Sequence, residues 1–152
     1  LNSKFNIHEL LTFASIVQSE GIDLKSMGTV AGVFYNRLEK KMAFQSCVTA
    51  CYGTKEDNCI PKNVATLDKN PYNTYLSNMV GKLPIGPVSS FGEDALKAVI
   101  YPEEHDYLYF ISDKNNKLYF SKTYKEHINK RNELEKKGTY FRWNTINYVK
   151  EG

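Results

Sequence analysis

The segment from Ile7 to Glu20 constrains the fold most, because its sequence predicts a helix that is apolar on two faces. Asn6, followed three residues later by Glu9, is typical of a capping box at a helix start, and Gly21 is typical of a helix end. The apolar residues form two stripes at helical spacing, Ile7, Leu10, Ala14 and Val17 on one and Phe13 and Ile16 on the other. A surface helix has a single apolar stripe, so this segment is predicted to be a buried helix.

A second helix is predicted from Leu24 to Leu38, with Asp23 as its N-terminal cap. Its predicted core face consists of Leu24, Met27, Ala31, Phe34 and Leu38. Gly28 and Gly32 lie one helical turn apart, and the lack of a side chain at both positions allows another backbone segment to approach closely. The sequence therefore predicts that a second element packs tightly against this helix.

The remaining sequence predicts an α+β fold in a single domain that covers residues 1–152. From residue 40 to about 92 the helical periodicity fades and Pro, Asn, Thr and Ser are frequent, which is typical of a functional loop region. The later elements are predicted as a short helix at Asn63–Leu67, a helix at Glu93–Ile100, strands at Tyr107–Ser112 and Leu118–Ser121, and a helix from Thr123 to about Lys137, ended by Gly138. We therefore expect a helical core, a loop-rich substrate region and a small β-hairpin near the C-terminal helix. The tail, residues 140–152, is left without an assignment.

Charge and composition exclude several classes of function. The net charge of +3 is small and the lysines are scattered among acidic residues, so nucleic acid is not an expected partner. No apolar run approaches the ~20 residues that span a bilayer. The chain opens at Leu1 without a signal peptide, and we expect it to be a fragment of a longer protein.

His8 and Glu9 begin like a metalloprotease motif, but Thr12 occupies the place of the second histidine. A glycine-rich phosphate loop is also absent, so we expect neither a metal nor a cofactor.

The three cysteines, Cys47, Cys51 and Cys59, leave several arrangements open. Without a nearby histidine they lack the usual paired spacing of a zinc site. In an oxidising compartment Cys59 could pair with Cys51 or with Cys47, and all three thiols could also stay reduced. The cysteine count alone therefore does not identify the compartment.

Glu20 is the candidate catalytic residue on physical grounds. It lies at the predicted C-terminal end of the first helix, where the helix dipole disfavours negative charge, and beside the apolar face of Phe13 and Ile16. Both effects are predicted to raise the pKa of its carboxyl group, and a proton held near neutral pH is what a general acid requires. The alternative interpretation is a solvated glutamate at a frayed helix end.

Three segments of the loop-rich region combine polar side chains with aromatic or apolar ones. They are Phe44-Gln45-Ser46 with Thr49 and Tyr52-Gly53, Tyr72-Asn73-Thr74-Tyr75, and Leu83-Pro84-Ile85-Gly86-Pro87. Hydroxyl and amide groups beside flat rings suit a sugar, which has apolar faces and hydrogen-bonding edges. Turn chemistry is the alternative, because Asn, Gly and Pro are common in loops of every kind.

Taken together, these segments resemble the endolytic murein transglycosylases, the family called MltG or YceG-like. Residues 14–20 are similar to the family's helix that ends in the catalytic glutamate, and residues 30–38 are similar to its second helix, with the following turn at 42–45. The later motifs match in order, at Pro71–Leu76, Leu83-Pro84, Gly86-Pro87, Asp106–Phe110, Phe120-Ser121 and Glu126-His127. The resemblance covers about Leu10 to His127. The departures are Cys47-Val48-Thr49 in place of Asp-Pro-Thr, Lys82 in place of Gly and Ile85 in place of a second Pro.

The resemblance implies a peptidoglycan lytic transglycosylase that cleaves the MurNAc–GlcNAc bond within glycan strands and leaves 1,6-anhydro-MurNAc ends. It implies Glu20 as the acid/base, and we expect a substrate cleft formed by Gln45, Thr49, Tyr72, Asn73 and Tyr75. It further implies action at the outer face of the cytoplasmic membrane, an N-terminal anchor outside this chain, and cell-wall synthesis proteins as partners besides the glycan strands.

Two alternatives to this function stay open at the level of the sequence. A hydrolase of the same bond needs a second carboxylate, for which Asp23 and Asp68 are the candidates. A catalytically silent glycan-binding or scaffold domain of the cell-wall machinery is the other alternative, suggested by the replacement of the family's Asp by Cys47.

Overall fold

The structure is a computed structural model that describes residues 5–46, 49, 52 and 71–140. Its elements are α1 (Ile7–Glu20), α2 (Leu24–Glu39), a short 3₁₀ helix (Ser77–Met79), α3 (Glu93–Ile100), β1 (Tyr109–Ser112), β2 (Leu118–Ser121) and α4 (Tyr124–Lys136). The predicted α+β class is confirmed. The three cysteines, the predicted helix at 63–67, Asp68 and the tail from residue 141 lie outside the described residues. None of the described helices is long and apolar enough to cross a bilayer.

Helix α1 has the predicted bounds and the predicted capping box. The side chain of Asn6 accepts a hydrogen bond from the Glu9 backbone N–H at 2.8 Å, and the Glu9 carboxylate accepts one from the Asn6 N–H at 3.2 Å. The middle of the helix is buried over six consecutive residues, Thr12 to Val17, as expected for a helix surrounded by other elements. The prediction of a buried apolar stripe was wrong at its first residue. Ile7 lies in the first turn of α1, which extends beyond the core, and its side chain is 75% exposed.

Gly21 ends α1 as predicted, but for a different physical reason than a left-handed cap. Its φ of −91° is accessible to any residue. A Cβ atom at this position would lie 2.5 Å from Cγ and 2.9 Å from Cα of Met27, so the glycine permits the close approach of α2 to the end of α1.

Helix α2 is capped by Asp23 as predicted and extends one residue further, to Glu39. The tight contact expected at its glycines is confirmed at Gly32, where a Cβ atom would overlap the Glu103 carbonyl oxygen and approach His105 Nε2 to 2.5 Å. Leu24 was wrongly assigned to the core face. It lies in the first turn, is 47% exposed, and the core face instead continues to Arg37.

Helices α1, α2 and α3 pack around a common core whose buried residues include Phe13, Phe34, Phe44 and Phe110. Phe34 of α2 stacks on Phe44 with ring centroids 4.5 Å apart, and Phe13 of α1 meets Phe44 edge-on at 5.5 Å. Because Phe44 follows α2 in the chain, its burial brings the next residues back toward α1. This packing determines where the loop-rich region begins.

Strands β1 and β2 form an antiparallel hairpin in which Tyr109 pairs with Ser121 and Ser112 with Leu118. Strand β1 begins two residues later than predicted. The carbonyl of Tyr107 accepts a hydrogen bond from Asn36 Nδ2 at 3.0 Å, so this segment is held by α2 before the regular pairing starts. Helix α4 packs on the hairpin, begins at the predicted cap Thr123 and ends before Gly138, which has φ +70°.

Candidate active site

Glu20 is the last residue of α1 and is half-buried. Its Oε1 atom accepts a hydrogen bond of 3.0 Å from the hydroxyl of Ser46, which is fully buried. The last turn of α1 carries no basic side chain. The helix dipole therefore acts on this carboxyl group without a compensating cation from its own turn, and a neutral hydroxyl fixes its orientation.

Ser46 is held by a network of backbone and threonine groups that permits one consistent placement of the protons. Thr49 Oγ1 donates to the Ser46 carbonyl at 2.7 Å, and the Ser46 backbone N–H donates to Thr74 Oγ1 at 2.9 Å. The two threonine hydroxyls are 2.6 Å apart, and since the Thr49 proton is used, Thr74 is the donor in that pair. Ser46 and both threonine side chains are fully buried. The chain around residue 74 thus forms the support under Ser46.

The predicted cleft residues divide into a buried and an accessible group. Thr49 and Asn73 are fully buried and Tyr75 is 6% exposed, while Gln45 and Tyr72 are half-buried. Asn73 Oδ1 accepts the Tyr75 backbone N–H at 3.0 Å, the geometry of a local turn. The structure therefore brings Thr49 under Ser46, makes Asn73 and Tyr75 part of the adjoining turn, and leaves the side chains of Gln45 and Tyr72 accessible to a ligand.

Tyr72 contacts a second aromatic ring, that of Tyr52, which is not among the five predicted cleft residues. The rings of Tyr52 and Tyr72 meet nearly edge-to-face, with centroids 4.6 Å apart, and Tyr52 is 48% exposed. Gly86 lies beside them, since a Cβ atom there would be 3.8 Å from the Tyr72 hydroxyl. The sequence places Tyr52 in the same polar and aromatic segment, three residues after Thr49, and this is the signal for including it with the cleft residues.

The opposite side of the Glu20 turn is bordered by the segment 88–92, which is fastened to α1. Ser15 Oγ accepts the Val88 backbone N–H at 2.9 Å, and Ser89 Oγ donates to the Ser15 carbonyl at 2.9 Å. One turn further along, Gln18 Oε1 accepts the Gly92 N–H at 2.9 Å. The last two turns of α1 are therefore held rigidly between this segment and Ser46.

Asp23, the described candidate for a second carboxylate, is engaged in helix capping. Its Oδ1 accepts the Ser26 backbone N–H at 2.8 Å, and hydrogen bonds from Ser26 hold the pKa of the Asp23 carboxyl below its ordinary value. Over the described ranges no cluster of three or more His, Cys, Asp or Glu side chains could hold a metal ion. Among the described residues, the site therefore contains the Glu20 carboxyl group, which accepts a hydrogen bond from the buried hydroxyl of Ser46.

Comparison with known proteins gives one consistent result. Residues 2–133 match the YceG-like family. A protein of Bacillus subtilis (strain 168) named endolytic murein transglycosylase is 38% identical over 127 residues, which is 82% of this chain and 34% of that protein. A protein of the same name from Streptococcus pneumoniae is 36% identical over 132 residues, or 83% of this chain and 23% of its own length.

The fold of the chain is also similar to a solved structure. A crystal structure of a YceG-like protein from Listeria monocytogenes superposes with a TM-score of 0.68 at 38% identity, and the match covers 84% of this chain and 40% of that one. The chain therefore spans about a third of the Bacillus relative and about a quarter of the Streptococcus relative.

Proposed function

The chain belongs to the YceG-like family, and we propose that it is the catalytic part of a peptidoglycan lytic transglycosylase that cleaves MurNAc–GlcNAc bonds within glycan strands. The observation that carries the proposal is the pairing of Glu20 with Ser46, which holds a single carboxyl group at the end of a rigid buried helix. Named relatives that act as endolytic murein transglycosylases support the substrate class.

A single carboxyl group is sufficient for this reaction because the substrate supplies its own nucleophile. Protonated Glu20 donates its proton to the glycosidic oxygen as the bond to the anomeric carbon breaks. The C6 hydroxyl of the same MurNAc residue then attacks that carbon, and the Glu20 carboxylate accepts the hydroxyl proton. The products are a free GlcNAc 4-hydroxyl and a 1,6-anhydro-MurNAc end, and no water is consumed. The intramolecular attack benefits from proximity, whereas ordinary glycosidases need a second carboxylate.

Ser46 is the orienting group in this proposal. A carboxyl group that must first donate and then accept a proton has to keep one position relative to the sugar through both steps. The Ser46 hydroxyl binds Oε1 from a fully buried position, so it restricts the rotation of the Glu20 carboxyl group. Ser89 and Gln18 hold the segment 88–92 on the other side of the same turns.

The exposure of the side chains near Glu20 indicates which of them can contact the substrate. We propose Gln45 and Tyr72, together with Tyr52, as the side chains that touch the glycan, because they are the exposed or half-buried members of this region. The edge-to-face Tyr52–Tyr72 pair offers an apolar ring surface for a sugar face. Thr49, Asn73 and Tyr75 contribute by shaping the chain below the cleft, consistent with their burial.

The cellular setting belongs to the same proposal. The chain is proposed to be a single domain of a longer protein that is anchored at the outer face of the cytoplasmic membrane and works beside cell-wall synthesis proteins. Hydrolysis of the same bond is less well supported, because Asp23, the candidate second carboxylate within the described residues, is committed to capping α2. A silent glycan-binding domain has no observation in its favour beyond the replacement at Cys47.

Glu20→Gln tests the proposal. The amide keeps the size of the side chain and an oxygen that accepts the Ser46 hydrogen bond, but it cannot transfer the proton, so cleavage of purified glycan strands should fall by ~10²–10⁴-fold. The melting temperature should stay the same or rise slightly, because a charge that the helix dipole opposes is removed.

Glu39→Gln is the matched control, since Glu39 is the exposed last residue of the neighbouring helix α2. It should leave cleavage unchanged. A Glu20→Gln rate close to wild type would refute the catalytic assignment, and binding without cleavage by both wild type and variant would favour the scaffold function.

A further inference from the structure

Arg37, in the last turn of α2, is a buried cation whose hydrogen-bond partners among the described residues are all neutral. It is 1% exposed, and its hydrogen bonds run from Nε to the Ala43 carbonyl at 2.8 Å, from Nη1 to the Leu108 carbonyl at 2.8 Å and from Nη2 to Gln45 Oε1 at 3.3 Å. Its guanidinium also lies over the ring of Tyr109, 5.3 Å from the centroid. Among the described residues no carboxylate forms an ion pair with it.

Placing a cation in this position is unfavourable and calls for a reason beyond packing. Burial lowers the pKa of the Arg37 guanidinium to about 10, so the group remains charged at neutral pH inside the core. An apolar side chain of similar volume would fill the same space without the desolvation penalty. What an apolar side chain cannot do is bind three acceptors at once, and the planar guanidinium has the donors to do so.

The acceptors show what the guanidinium connects. Ala43 and Gln45 belong to the turn that leaves α2, and Leu108 precedes strand β1, so one side chain ties the turn to the hairpin. Gln45 itself has φ +52°, a left-handed conformation that costs a non-glycine residue about 1–2 kcal/mol. Its conformation sets the direction in which the chain enters Ser46.

We propose that Arg37 is a positioning residue for Glu20. By holding the Ala43 carbonyl and the Gln45 carboxamide, it keeps the turn in the strained conformation that carries the Ser46 hydroxyl to Glu20 Oε1. At 1% exposure the guanidinium does not touch the glycan, so its contribution passes through Gln45 and Ser46. This inference rests on the proposed function of Glu20 and adds a component to it.

The test is a double-mutant cycle between Arg37→Lys and Ser46→Ala. Lysine keeps the charge, but its single nitrogen cannot reach the three acceptors that Nε, Nη1 and Nη2 of Arg37 contact separately. The kcat for glycan cleavage should therefore fall roughly tenfold, which corresponds to about 1.4 kcal/mol, with KM unchanged. In the Ser46→Ala background the same substitution should have little further effect on kcat, because the group that it positions is already absent. Additive effects of the two substitutions, or a wild-type kcat in Arg37→Lys, would overturn the proposal.

A milder pair of variants serves if Arg37→Lys does not fold. Gln45→Gly and Lys41→Gly both place glycine at a left-handed position of the same turn, since Lys41 has φ +56°. Only Gln45→Gly removes a partner of Arg37. The proposal predicts a lower kcat for Gln45→Gly and a wild-type kcat for Lys41→Gly. Because Gln45 is also a proposed glycan contact, KM should rise in Gln45→Gly, and kcat is the readout that tests the positioning. Equal kcat values in both variants, or a change confined to KM, would contradict it.

A readout without catalysis separates this proposal from the function on which it rests. The carbon-13 chemical shift of the Glu20 carboxyl group should move in the same direction in Arg37→Lys and in Ser46→Ala, because both remove the same hydrogen bond. If the shift follows this pattern in a protein that cleaves no glycan, the positioning is right and the proposed function is wrong. A Glu20 signal that is unchanged in Arg37→Lys rejects the positioning whatever the activity.

Discussion

Within the described part of the chain, two turns contain non-glycine residues in the left-handed conformation, and they are stabilised in opposite ways. The site turn, residues 41–46, has Lys41 at φ +56° and Gln45 at φ +52°. The hairpin turn, residues 113–117, has Asn116 at φ +62°. Asparagine visits this region readily, whereas lysine and glutamine do so at a penalty. The left-handed conformation is therefore nearly free of strain in the hairpin turn and strained in the site turn.

The sources of support differ as well. In the hairpin turn the carboxylate of Asp113 accepts the backbone N–H groups of Asn115 at 2.8 Å and Lys117 at 2.9 Å, so the stabilisation is local. The site turn depends on groups from other parts of the fold, above all the Arg37 guanidinium and the hydroxyl of Thr74. Backbone strain that is maintained by the surrounding structure is common at functional sites. Here the strained residue is Gln45, which directly precedes Ser46, the residue that binds Glu20.

Among substitutions in the two turns, the largest effect is expected from removing the Ser46 hydroxyl of the site turn. Ser46→Ala deletes a hydrogen bond to Glu20, and cleavage should fall by about 10–100-fold, the equivalent of the 1.5–3 kcal/mol typical of a bond to a charged group. The melting temperature should change little, since the backbone bond from Ser46 to Thr74 remains. Ser121→Ala, at a buried serine in β2, is the control and should leave the rate unchanged. Equal losses in both variants would show that burial, not contact with Glu20, determines the effect.

Breaking the hairpin turn should affect stability and leave activity intact. Asp113→Ala removes the acceptor of two backbone groups and of the Tyr119 hydroxyl, and should lower the free energy of unfolding by about 1–2 kcal/mol at neutral pH. Cleavage per folded molecule should equal that of the wild type. A reduced kcat would mean that the hairpin turn and the site are coupled after all.

The same variant predicts a pH dependence. Hydrogen bonds from Lys117, Tyr119 and Asn115 hold the pKa of the Asp113 carboxyl below its ordinary value of 3.8. A carboxyl group whose pKa is lower in the folded state adds stability above its unfolded pKa and loses it as the pH falls through the folded value. The difference in unfolding free energy between wild type and Asp113→Ala should therefore be full at neutral pH and shrink below about pH 4. A difference that is constant with pH would remove the carboxylate from the explanation.

The smallest effect is expected from glycine substitution at the left-handed positions. Lys41→Gly relieves a penalty of about 1–2 kcal/mol but adds about 0.5–1 kcal/mol of chain entropy to the unfolded state, so it should stabilise the protein slightly. Asn116→Gly should not raise the stability, because the left-handed conformation is only slightly unfavourable for asparagine. Thermal melts of the two variants side by side measure the difference. A gain at Asn116 as large as at Lys41 would remove the contrast between the turns.

Features that depend on neighbours in the chain could be predicted from the sequence, and features that depend on contacts between distant segments could not. The bounds of α1 and α3, the caps Asn6, Asp23 and Thr123 and the end at Gly138 depend on neighbours in the chain, and all agree with the structure. Ser46 as the partner of Glu20 was not predictable, because 26 residues separate them and the contact requires Phe44 to be buried against Phe13 and Phe34.

The burial of the predicted cleft residues was not predictable either. Polar and aromatic side chains in a loop suit a sugar, but the same composition suits a network that supports the loop from below. Asn73 fits the second description, since its side chain accepts the Tyr75 N–H from a fully buried position. A single sequence gives no indication of which face of such a loop is exposed. The interpretation of Glu20 depended instead on its place at the end of a helix, which is local.

The central claim concerns how the anomeric carbon of MurNAc exchanges its bond to the GlcNAc oxygen for a bond to its own C6 oxygen. In this account one carboxyl group, that of Glu20, catalyses the exchange, and water does not take part. The most direct measurement is digestion of purified glycan strands in water enriched in heavy oxygen, with the new ends analysed by mass spectrometry. The account predicts 1,6-anhydro-MurNAc ends that carry no heavy oxygen, and their loss in Glu20→Gln. Reducing MurNAc ends that contain heavy oxygen would contradict it, because they require an attacking water and the second carboxylate of a hydrolase.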